Sequence, residues 1–149
     1  MQSLPPLTPK EHHILMSVAQ GSTASEIGEG LGISRRTALN YINVIRRKFG
    51  ANTSTSKIVY KYYKFHRPDL KIPKRAEGLK ISECLSQVLI LNVKGKSYPE
   101  MAKILSISDN AVAQRMRTLK RIFKAKNRIH LGYLFLKATN PGLHRENFQ

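Results

Sequence analysis

Apolar residues along this chain recur at three- and four-residue intervals, the spacing that gives an α-helix one buried face. The first such run holds Ile14, Leu15 and Val18. Before it, Thr8, Pro9 and Glu11 supply a cap, a first-turn proline and the acid of a capping box, and Gly21 ends the run. A second helix is expected from Ala24 to Leu31, capped by Thr23, with Ile27 and Leu31 turned inward. Gly32 permits a left-handed turn, Ile33 plugs the core and Ser34 caps a longer helix from Arg35 to Phe49. Ala38, Ile42, Ile45 and Phe49 share the buried face of that helix, while Arg36, Asn40, Asn43 and Arg47 share the opposite one. A fourth helix over residues 53–65 has an apolar side of Ile58, Val59, Tyr62 and Phe65, which leaves Tyr60 and Tyr63 elsewhere on its surface.

The pattern then returns without a gap at a constant offset of 74 residues. Gly95 falls on Gly21, Glu100 on Glu26, Leu105 on Leu31, Ile107 and Ser108 on Ile33 and Ser34, and Phe123 on Phe49. The repeat opens at a Ser82 cap, with Cys84, Leu85, Val88 and Leu89 as its core stripe, so Cys84 is expected as a small buried hydrophobe. Its long helix buries Val112, Met116, Leu119 and Phe123 and turns Asn110, Gln114, Arg117 and Arg121 outward. The last helix, 128–137, carries Ile129, Leu131, Tyr133, Leu134, Phe135 and Leu136 and is apolar almost all round. One small domain cannot bury that much, so the helix needs either the fourth helix of the first copy or another chain. The expected architecture is all-α: two tandem four-helix helix-turn-helix domains, 1–66 and 80–140. Between them lies a Pro/Lys-containing linker, 67–79, and a tail follows at 141–149.

Charge adds a partner to this picture. Lys and Arg number 26 against 9 Asp and Glu, a net +17. So large an imbalance costs self-repulsion and points to a polyanion. No long apolar run or basic amphipathic anchor favours a membrane, and nucleic acid is the expected partner. Both repeats are basic, net +6 over 1–66 and +9 over 80–149, so both are expected to touch the polymer. The outward faces of the two long helices contain no acid, whereas a merely solvated face mixes Glu with Lys. They carry instead the Asn, Gln and Arg side chains that make paired hydrogen bonds to base edges. A single cysteine rules out an internal disulfide and fits a reducing cytoplasm, and neither a signal peptide nor a membrane span is read at the N-terminus. His12 and His13 have no partner at metal-ligand spacing and are expected as solvated helix histidines. No carboxylate cluster or activated nucleophile is visible, so neither catalysis, metal nor cofactor is expected.

The residues Leu7, Thr8, Glu11, Leu15, Gly21, Glu26, Ile27, Leu31, Ile33, Ser34, Thr37, Ile45, Lys48, Phe49 and Gly50 carry a resemblance. In spacing, residues 7–65 resemble the DNA-binding domain of LuxR/FixJ/GerE-type transcription regulators. Residues 80–138 are similar but more diverged, retaining Ser97, Glu100, Ala102, Leu105, Ile107, Ser108, Val112 and Arg128. The resemblance implies a four-helix fold with its third helix in the major groove and dimerisation through the fourth. Base-reading positions then fall on Leu39, Asn40 and Asn43, and in the second copy on Ala113, Gln114 and Arg117. Phosphate contacts fall on Thr23, Ser34, Arg35, Arg36, Thr37, Tyr41 and Arg47, and on Ser97, Asn110, Arg115 and Arg121. Departures are Lys57 for a small residue on the dimer helix, Lys124 for a glycine and Leu85 for the capping acid. The expectation is a bacterial, cytoplasmic, nucleoid-associated transcription regulator that grips double-stranded DNA with two recognition helices, on an asymmetric or direct-repeat site. Its alternative keeps one DNA reader and gives the second domain to oligomerisation, through the final helix, or to RNA polymerase or a regulatory protein.

Overall fold

The computed structural model describes residues 4–50, 53–73, 76 and 78–140. These form eight helices and no strand: α1 (Pro9–Ala19), α2 (Ala24–Leu31), α3 (Arg35–Phe49), α4 (Thr55–His66), α5 (Glu83–Val93), α6 (Tyr98–Leu105), α7 (Asp109–Phe123) and α8 (Arg128–Thr139). Lengths of 11, 8, 15 and 12 residues occur twice in the same order. Each helix starts where a short polar side chain accepts from an amide of its first turn: Thr8, Thr23, Ser34, Ser54, Ser82, Ser97, Ser108 and Asn127. Thr8 with Glu11, Thr23 with Glu26 and Ser97 with Glu100 close reciprocal capping boxes. Among the described residues no helix is long and apolar enough to cross a membrane. Residues 1–3 of the N-terminal arm, Lys74 and Arg75 of the linker, and the tail 141–149 lie outside the described residues.

One apolar core runs through both sets of four helices. Helix α8 packs on α5 and α7 of its own set and on α1 and α4 of the other, which buries Leu131, Phe135 and Leu136 completely. The apolar excess of this helix is therefore covered within the chain, leaving Ile129, Tyr133 and Leu134 half-buried. The linker is packed as well: Leu70 and Ala76 are buried, Ala76 N donates to Ser86 Oγ, and Asn140 exchanges hydrogen bonds with the backbone of Lys71.

Several side chains depart from the sequence expectation. Cys84 is exposed and Leu85 only half-buried, because the α5 stripe that faces the core is Val88, Leu89, Ile90 and Val93. Phe65 points outward at 48% exposure, while Tyr63 is buried and donates its hydroxyl to the Ala19 carbonyl. The face of α4 is rotated toward Tyr63 because it must meet α5 and α8 as well as α1. His12 is not a solvated histidine either; its ring is half-buried and its Nε2 lies 3.1 Å from the Tyr62 hydroxyl.

The seam between the two sets is closed by paired contacts. The corner after α1 approaches α8 so tightly that a Cβ on Gly21 would stand 2.5 Å from His130 Cβ. At the corner after α5, a Cβ on Gly95 would stand 2.7 Å from Lys57 Cα. Gly95 is the repeat of Gly21, and His130 is third in α8 as Lys57 is third in α4. Both glycines also have positive φ, 91° and 78°, which a side chain would strain. The capping-box glutamates of α2 and α6 then reach across: Glu26 pairs with Lys126 at 2.9 Å and Glu100 with Lys57 at 3.2 Å.

Candidate nucleic-acid interface

The first helix-turn-helix is α2 and α3 joined through Gly32, which takes the left-handed conformation at φ 69° and ψ 30°. Ile33 follows half-buried, and Ser34 accepts from Thr37 N at 3.1 Å to start α3. Gly28 lets the two helices close on each other, since a Cβ there would meet the Ile33 carbonyl oxygen at 2.7 Å. In α6 and α7 the same turn is made by Ser106, also left-handed at φ 55° and ψ 46°, with Ile107 half-buried and Ser108 capping α7. A serine in that region costs about 1 kcal/mol that glycine avoids.

Burial on one side sets what the other side presents. Ala38 and Ile45 are buried in α3, and Val112, Met116 and Leu119 in α7, with Ile42, Phe49 and Phe123 half-buried beside them. Asn40, Asn43, Gln114 and Arg117 are consequently exposed, and Leu39 and Ala113 half-buried. Of the residues expected at phosphates, Thr23, Ser34, Arg35, Arg36, Thr37, Arg47, Asn110 and Arg121 are exposed, and Tyr41, Ser97 and Arg115 half-buried. Thr23, Ser34 and Ser97 spend their hydroxyl oxygens as helix caps, so their position is fixed by the fold.

Local contacts sort the basic residues. At the end of α3, Lys48 is drawn off the outer face by Glu11, 2.6 Å away and buried, and Arg46 donates to Thr55 Oγ1 at 2.9 Å. Only Arg47 of that run stays on the outer face, its Nε donating to the Asn43 carbonyl at 3.5 Å. Burial raises the Glu11 carboxyl, but the Lys48 ammonium and the Thr8 amide more than offset it and hold it below its ordinary range. Lys10 lies over the Tyr41 ring at 5.6 Å, a cation beside the expected phosphate face that spacing alone did not reveal. Helix α3 contains no acid; α7 has one, the exposed Asp109 at its first position, where α3 has Arg35. Among the described residues no group of His, Cys, Asp or Glu could hold a metal ion.

Residues 5–60 match the family of bacterial regulatory proteins, luxR family (GerE). The matched segment covers α1 to α3 and the first half of α4, so the similarity spans the first helix-turn-helix. No curated protein and no solved structure matches the chain.

Proposed function

We propose that this chain is a sequence-specific DNA-binding transcription regulator in which both 1–66 and 80–140 are LuxR-type domains, joined by 67–79. Helices α3 and α7 enter successive major grooves, about 34–36 Å apart by the usual half-site geometry. The reading rests on one observation: exposed hydrogen-bonding side chains recur at equivalent positions, Asn40 with Gln114 and Asn43 with Arg117, on helices whose other faces are buried. Asn and Gln pair with adenine edges and Arg with guanine, while Leu39 and Ala113 suit thymine methyls. Helix N-termini at Ser34 and Ser108, with Arg36, Arg47, Arg115 and Arg121, hold the backbone and set register. The chemistry is binding alone, and the place of action is the cytoplasm, on the nucleoid.

Two double variants test this on a duplex enriched from random DNA. Asn40→Ala with Asn43→Ala and Gln114→Ala with Arg117→Ala each lose at least about tenfold in affinity, since a paired base contact is worth about 1–3 kcal/mol. An unaffected second-copy variant leaves a single reader. That second reading has its own support: the family match ends at residue 60, and Ile104 and Ile122 of α6 and α7 are about half exposed, at 54% and 50%. The second copy then serves a protein partner such as RNA polymerase.

A further inference from the structure

Resting on the proposed DNA reading, we infer that the DNA site has a direction: two unlike half-sites, inverted about a fixed centre, that the chain occupies in one orientation only. The inversion comes from the seam. When two similar units pack head to tail, a patch on the first meets a different patch on the second, and the reciprocal pair of patches stays free. Here both reciprocal contacts are made. Gly21 meets His130 and Gly95 meets Lys57; α1 packs on α8 and α4 on α5. That is the closed pattern of a two-fold axis, achieved inside one chain. A two-fold axis gives α3 and α7 the same inclination to the axis and opposite senses around it, so the half-sites they read run in opposite directions. A direct-repeat site requires a translation between readers, which these contacts exclude.

The direction comes from the side chains. Under the exchange of halves Asn43 becomes Arg117, Asn40 becomes Gln114, Arg36 becomes Asn110, Thr37 becomes Ala111 and Arg35 becomes Asp109. The first face can pair twice with adenine and the second once with adenine and once with guanine. Asp109 also removes a cation and adds an anion where Arg35 stands. A symmetric homodimer meets its operator in two equivalent ways. This chain meets it in one, and spacing is fixed because the core is continuous through the seam.

The test uses the full chain and the two half-sites obtained by selection on random DNA. They are rebuilt as the unlike inverted pair, as the same pair in direct orientation, and as two palindromes. The expected result is tightest binding to the unlike inverted pair. Each palindrome is at least about tenfold weaker, and the direct arrangement falls to the affinity of one half-site. The variant Gln114→Asn with Arg117→Asn, which makes the two reading faces alike at these positions, shifts preference toward the palindrome of the first half-site. Equal binding of the direct arrangement overturns the two-fold relation, and equal binding of both palindromes overturns the direction. A chain that enriches no sequence at all overturns the DNA-reading proposal and this inference with it.

Discussion

Glu11 shows how one side chain can hold two elements and still be missed in half. Its place in a capping box with Thr8 is legible from four consecutive residues, but its ion pair with Lys48, 37 positions away, depends on how α1 meets α3. In the repeat the two positions are Leu85 and Ile122, so both charges are replaced by apolar side chains at once. Replacing Glu11→Gln removes the partner of a two-thirds buried lysine and weakens the cap. Urea unfolding is expected to show a loss of about 1–3 kcal/mol. Glu26 and Glu100 make a different prediction. The Lys126 ammonium and the Thr23 amide hold the first carboxyl below its ordinary range; the Ser97 amide and Lys57 push the second down to about 2. Folded values below unfolded ones stabilise the seam above about pH 5, and that contribution is lost as pH falls toward 2. Both pairs are exposed and screened by salt. Unfolding titrations at low ionic strength are expected to show a smaller acid-induced loss in Glu100→Gln than in the parent protein.

At the scale of elements, the caps, the glycine turn and the helical spacing were all readable, and the helices begin and end within two residues of expectation. What could not be read is which way α4, α5 and the histidine of α1 face, because periodicity reports that a stripe is buried without saying against what. Tyr63 and Cys84 depart from their expected places for this reason: α4, α5 and α8 each pack on helices of both halves. Gly21 and Gly95 look like ordinary helix stops in the sequence, yet each also admits the backbone or Cβ of a helix from the other half. Gly95→Ala is expected to cost about 2–4 kcal/mol, combining left-handed strain with overpacking against the Lys57 backbone. Gly32→Ala has the same strain with nothing within 4 Å of the added carbon, and so costs only about 1–2 kcal/mol. Similar losses in calorimetry or urea unfolding would remove the argument that the seam is tight at Gly95.

Taken whole, the molecule is two sets of four helices packed on each other around one continuous core. The sequence displays the repeat and the two basic faces, and it supplies the family resemblance that the match over residues 5–60 repeats. It does not display the seam, since Glu26 with Lys126 and Gly95 with Lys57 are brought together only by closure across a Pro/Lys-containing linker in which Leu70 and Ala76 are buried. The central claim is a double grip, and hydroxyl-radical and base-methylation footprints of the full chain on its selected duplex measure it directly. The account predicts two protected major-groove segments about one helical turn apart on one face of the DNA, one lost in Asn40→Ala/Asn43→Ala and the other in Gln114→Ala/Arg117→Ala. A single protected segment that is unchanged by the second pair of substitutions would contradict it.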